Sequence, residues 1–247
     1  MRIAFRFRLL PCIATVLLVA LGISLGNWQQ RRAEQKTALQ RKLAEGNAAA
    51  PLSLSAAAPL TPAAAAAIEY RRVRLTGEFR RDWPLYLDNR PYQGRAGFYL
   101  LMPFKMAGSE LHVLVERGWL PRNMARREQM QPYATPVGRV TLEGIVKLSA
   151  GHVMQLGSAA PLLPGAIVQN AEPAQLAAAG AMTLQPFVVE QSGPATALNA
   201  AADAQLVRDW PAPALGVEKH RGYAFQWYAL ALMAVLFFVF TGFRRGK

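Results

Sequence analysis

One cysteine, three histidines and 15 acidic residues are spread over 247 positions. The single cysteine, Cys12, excludes an intrachain disulfide. His112 and His152 are isolated, and no Cys/His ligand spacing, phosphate-cradling glycine loop or nucleophile elbow occurs. No two carboxylates stand out as an acid and a base, so the reading is not an enzyme. No internal repeat is visible.

Negative charge is scarce beside 28 Lys and Arg, and the net charge is +13. Three cations lie at each end, Arg2, Arg6 and Arg8 and then Arg244, Arg245 and Lys247, which leaves +7 for the rest. A basic surface can mean nucleic acid, but the membrane placement argued next makes anionic lipid headgroups or an acidic partner the better match.

Charge disappears altogether from two stretches. The run 223–243 spans about 31 Å as a helix, enough for a bilayer core. A second run covers 9–30. A cleaved signal peptide is the alternative for the first run, since three arginines precede it. No small-x-small cleavage site follows, however, and Leu10-Pro11-Cys12 is a poor lipobox, so an uncleaved anchor is expected. The expected layout is tails at 1–8 and 244–247, transmembrane helices at 9–28 and 220–243, a helical extension and connector at 29–69, and an extracytoplasmic domain at 70–219. The basic tails place both termini in the cytoplasm, although Arg31, Arg32, Lys36, Arg41 and Lys42 follow the first span closely.

Between the spans, 28–46 reads as helix, free of proline, with Gly46 where a C-cap would sit. The Ala/Pro-rich stretch 48–67 reads as a connector with one helical turn. Strand patterns follow. Val73, Leu75, Gly77 and Phe79 alternate with Arg72, Arg74, Thr76 and Glu78, and Val140, Leu142, Gly144 and Val146 repeat the pattern. Shorter apolar runs lie at 85–87, 96–103, 111–116, 167–169 and 187–190, with a short helix at 173–179. The fold class is therefore membrane-anchored α+β. Its N- and C-terminal transmembrane helices flank a mainly antiparallel, barrel-like domain.

Few residues suggest binding. The segment from Asn89 and Arg90 to Phe98 is a turn-rich loop, structural first and a docking loop second. Arg117-Gly118-Trp119 offers an interface anchor or a core plug. Trp28, Arg32 and Lys36 form one stripe on a helix, while Tyr223 and Trp227 are aromatics of the kind found at membrane boundaries. His220, flanked by Lys219 and Arg221, is either solvated at the interface or a ligand for an apolar group such as haem.

Four patterns together carry a resemblance. They are Leu25-Gly26-x-Trp28-Gln29-x-x-Arg32-x-x-x-Lys36, then Tyr70-Arg71-x-Val73 leading to Gly77-x-Phe79. The third joins Asn89-Arg90, Gly94, Gly97-Phe98 and Pro103 to Val113-Leu114-Val115-x-Arg117-Gly118-Trp119-x-Pro121. The last is His220-x-Gly222-Tyr223-Ala224-x-Gln226-Trp227-x-x-Leu230-Ala231. In this order the chain resembles the surfeit-one (Shy) family of cytochrome c oxidase assembly factors, bacterial branch. Glu116 and Glu218 stand where many members have Asn.

The resemblance implies a bacterial inner-membrane protein with a periplasmic domain that assists haem delivery to a haem–copper oxidase. Its partners would be the catalytic subunit, haem-synthesis enzymes and membrane lipid, not nucleic acid. Haem A would be a transient cargo, with its iron on His220 and Tyr223, Trp227, Trp28 and Arg32 around it. Asn89, Arg90, Arg117 and Trp119 remain the candidate docking residues on their own turn and strand-end chemistry, independent of the resemblance. The alternative is a haem-independent scaffold that stabilises an assembly intermediate.

Overall fold

A computed structural model describes residues 3–5, 7–54, 58–126, 129–155, 157–196 and 205–245. In chain order the elements are β1 (Ile3–Phe5), α1 (Leu9–Ala48), β2 (Leu52–Ser53), α2 (Pro62–Ala67), β3 (Arg72–Phe79), β4 (Leu85–Leu87), β5 (Gly97–Met106), β6 (Leu111–Pro121), β7 (Val140–Lys147), β8 (Ile167–Val168), α3 (Pro173–Gly180), β9 (Thr183–Gln191), α4 (Val217–Gly242) and β10 (Phe243–Arg245). They divide into a helical unit, Met1–Lys42 with Ala212–Lys247, and a β unit, Leu43–Pro211.

In the helical unit, α1 is one continuous helix of 40 residues, about 60 Å long. Pro11 lies in its first turn, where the missing N–H costs nothing. Its first half is apolar and its second half rich in Gln, Lys and Arg. Both α1 and α4 are long and apolar enough to cross a membrane, and only 11% of each apolar window is buried. Their greasy surface therefore faces outward, unlike that of a soluble core helix. The helices run antiparallel, and β1 pairs with β10 beyond them, Ile3 opposite Arg245. Of the tail residues used to argue orientation, Arg2, Arg6 and Lys247 lie outside the described residues. The helical unit holds 13 cations and 2 acids in sequence, a net +11, which leaves 15 and 13, a net +2, for the β unit.

The β unit is built on a closed five-stranded ring, β3-β5-β6-β9-β7 and back to β3. All pairs are antiparallel except β6–β9. Numbered along the ring's own five strands, the third and fifth are the parallel pair, which is the connectivity of the OB barrel. The short β2–β3 and β4–β8 pairs are also parallel. Closure depends on β3, which pairs with β7 from Arg72 to Gly77 and with β5 from Gly77 to Phe79. At the switch, a Cβ on Gly77 would lie 2.0 Å from the Lys105 carbonyl oxygen, so only glycine fits.

Period-two patterning sets the inside. Val73, Leu75, Leu142, Val146, Phe104, Val115 and Phe187 fill the barrel, while Arg74 and Glu143 pair across the outer face at 2.6 Å. A second core lies outside the ring, where Leu101, Leu114 and Val188 pack with Leu85, Leu87 and Leu176 of α3. β6 is thus covered on both faces, which explains its nearly unbroken burial. The connector contains α2, capped by the Thr61 hydroxyl accepting from the Ala64 N–H. Gly46 serves a purpose other than capping. It sits within the last turn of α1, and a Cβ there would come within 2.2 Å of the Tyr70 carbonyl oxygen.

Candidate functional site

Four α1 residues, Gly22, Gly26, Gln29 and Ala33, are spaced four, three and four apart, so they share one face. On α4 the matching face holds Val217, His220, Ala224, Tyr228 and Ala231. Small residues let the two backbones approach. A Cβ on Gly22 would lie 2.9 Å from Ala231 Cβ and 3.0 Å from the Trp227 carbonyl oxygen, and one on Gly26 would fall 2.4 Å from the Tyr228 ring. The Tyr228 hydroxyl donates to Asn27 Oδ1 at 2.8 Å. The helices are therefore held by contact and by side-chain hydrogen bonds.

His220 belongs to this seam. It lies in the first turn of α4, which begins after Gly216 in a left-handed conformation at φ +60°. Its ring is half-buried, and Nδ1 lies 2.7 Å from Gln29 Oε1 on α1. Nε2 makes no hydrogen bond among the described residues. Cations lie within two turns of Gln29 and His220 on both helices. Lys36 Nζ donates to the Ala214 carbonyl at 2.8 Å, Arg32 donates to Gln35 Oε1, and Arg221 pairs with Glu218 at 3.0 Å. Arg221 also lines a shallow groove with Gln30, Thr37 and Arg41 of α1.

The expected aromatic surround takes a different form. Trp28 is one residue from Gln29, hence turned about 100° from the seam, and is 47% exposed. Tyr223 is 52% exposed and Trp227 half-buried. Gln29, inside the motif but not singled out as a site residue, is the side chain that reaches the imidazole. The Gly22-x-x-x-Gly26 spacing in an apolar run was the available signal for the seam.

In the β unit, Asn89-Arg90 and Arg117-Trp119 do come together, with Trp119 Nε1 donating to the Arg90 carbonyl at 2.7 Å. Of the two readings open for these segments, brace or docking surface, the side chains of Arg90, Arg117 and Trp119 match the first, since all three are buried. Trp119 is 3% exposed and packs on Gly97, where no Cβ would fit. The Arg90 guanidinium is buried and donates to the carbonyls of Asp88, Gly151 and Gln169. Arg117 is fully buried, donating to Thr135 Oγ1 and the Ala134 carbonyl, with its guanidinium 4.6 Å from the Phe79 ring centre. These side chains brace the barrel pole from within. Asn89 alone is exposed, in a left-handed conformation at φ +59°.

Beside them lies a feature that the sequence did not reveal. Glu116 and Glu190 are opposite each other on β6 and β9. Burial, followed by the charge of Glu190, pushes the Glu116 carboxyl up to about 8. Burial also raises Glu190, against the opposing pull of Lys147, whose Nζ is 3.5 Å away.

The profile of the SURF1 family matches residues 16–232, taking in the seam, the barrel and most of α4. The chain belongs to the SURF1 family. Surfeit locus protein 1 of Takifugu rubripes is 27% identical over 149 residues, 54% of this chain and 60% of its own length. Cytochrome oxidase assembly protein SHY1 of Saccharomyces cerevisiae is 34% identical over 96 residues, 39% of this chain and 24% of its own. Surfeit locus protein 1 of Rattus norvegicus is 31% identical over 144 residues, 53% and 45%. The aligned stretch thus covers between a quarter and three fifths of these relatives. Both His220 and the Arg117-Gly118-Trp119 brace fall inside the SURF1 match.

Proposed function

We propose that this protein is an assembly factor for a haem–copper (cytochrome c) oxidase. Both helices anchor it in the bacterial inner membrane, with the barrel on the periplasmic side, and it assists delivery of haem to the catalytic subunit. Support comes from SURF1 membership and from a relative named as a cytochrome oxidase assembly protein. The observation that carries the haem part is His220, a half-buried imidazole at the polar end of an apolar seam, with one ring nitrogen unused among the described residues.

Haem suits this place as cargo because it is apolar with two charged propionates. A neutral imidazole offers one lone pair to iron. Arg32, Arg221 and Lys36 sit one to four turns into the polar end of the helices, at the depth of lipid headgroups and of propionates. Ligation by a single protein nitrogen is weak enough for a carrier that must release what it holds. The net +11 of the helical unit suits anionic lipid on both sides of the bilayer.

The test is complementation of a strain lacking this chain, with haem content and subunit composition of the purified oxidase as the readouts. His220→Ala is expected to lower the haem content while the catalytic subunit still co-purifies with the protein. Full haem content with His220→Ala would remove the delivery role and leave the scaffold role. No association with the oxidase subunit would overturn both.

A further inference from the structure

We propose that Gln29 is the positioning residue for His220. Its amide oxygen accepts Nδ1–H and so holds the ring as the tautomer whose lone pair is on Nε2. The inference rests on the carrier reading for its purpose, but not for its chemistry. A neutral imidazole has one N–H and one lone pair, and the partner of one nitrogen decides which is which. The Gln29 amide is oriented with its oxygen toward Nδ1 across the 2.7 Å contact, an assignment that the reverse amide orientation would invert, and an oxygen can only accept. The proton is then on Nδ1, and Nε2 is left as the ligating atom.

The same contact aims the ring. Gln29 comes from α1 and His220 from α4, so the imidazole is fixed from the opposite helix and not by its own backbone alone. Metal-binding histidines usually donate their second N–H to a carboxylate, a carbonyl or water, and the partner tunes the ligand's basicity. An amide oxygen is the neutral version of that device. It orients the ring without giving it imidazolate character, so the bond to iron stays weak, as release requires. A carboxylate here would hold iron more firmly.

The proposal separates cleanly from a purely structural staple. The first readout needs no haem. The full-length protein is labelled at histidine with ¹⁵N, purified haem-free in detergent, and assigned by comparison with His220→Ala. The expected spectrum shows a protonated, pyrrole-type Nδ1 and a pyridine-type Nε2 for His220, with this preference lost in Gln29→Leu. A pyridine-type Nδ1 in the wild type overturns the proposal, whatever haem does.

The second readout is titration with hemin. Gln29→Leu should bind about 10–100-fold more weakly, and Gln29→Glu at least as tightly as wild type, with a lower iron reduction potential. Equal affinity in all three proteins would reduce Gln29 to a staple and overturn its positioning role. If no protein binds hemin but the tautomer is as expected, the carrier reading fails while the assignment of the ring proton stands.

Discussion

Trp119 Nε1 donates to the Arg90 backbone carbonyl at 2.7 Å, tying β6 to the turn that follows β4. The same tryptophan backbone exchanges both its hydrogen bonds with Val207, in the segment that returns over the barrel. One residue thus joins three stretches of chain that are far apart in sequence.

Removing it should therefore unfold the barrel before it affects any partner. Trp119→Ala is expected to cost about 3–5 kcal/mol, and Trp119→Phe less, since an aromatic ring still fills part of the space while the hydrogen bond and the rest of the indole volume are lost. Thermal unfolding of the full chain in detergent, followed by near-ultraviolet circular dichroism, measures this. An unchanged midpoint for Trp119→Ala would show that the indole carries no packing load.

Gly26 has no room for a side chain, because the Tyr228 ring occupies the space. Gly26→Leu should push α4 from α1 and break the Tyr228–Asn27 hydrogen bond. In a Cys12→Ser background, cysteines placed at Gly22 and Ala231, whose Cβ atoms would lie 2.9 Å apart, should form a disulfide readily, and several-fold less when Gly26→Leu is added. Equal yields would mean that the helices are not held by this seam.

The buried Glu116 makes a pH-dependent contribution. Between the ordinary carboxyl value of 4.5 and about 8, the unfolded chain has lost a proton that the native chain keeps. Native stability therefore falls as pH rises through that window and is flat above it for this group. Glu190, also raised, acts in the same direction. Glu116→Gln mimics the neutral acid, so it should flatten the decline and raise the midpoint at pH 8, by about 2–4 °C for each kcal/mol recovered. A lower midpoint at pH 8 would instead mean that Glu116 works as a charged partner of Arg90.

Orientation has its own check. A reporter fused after Lys247 and one inserted at the exposed Gly138 turn should report opposite compartments. The same compartment for both contradicts the hairpin.

The alternating strands were legible because one face of β3 and β7 meets solvent, so Arg72, Arg74, Glu143 and Lys147 mark the outside. β6 was under-read, ending at Glu116 where the structure continues to Pro121, because a strand covered on both faces has no polar rhythm. β9 was under-read at its N-terminal end because Pro186 interrupts the apolar run there. Trp119 read as either plug or anchor because sequence does not reveal the Val207 strap that covers it. His220 stood out through its place at the edge of an apolar run. Gln29 did not, since its role depends on a contact across 191 positions.

The proposed carriage of haem by His220 can be read directly. The most direct measurement is the absorption spectrum of the full chain purified in detergent from cells that make haem A. A Soret band is expected in the wild type, and its loss or marked reduction in His220→Ala, with both proteins inserted equally in the membrane. Wild-type protein from such cells without any haem band would contradict the account.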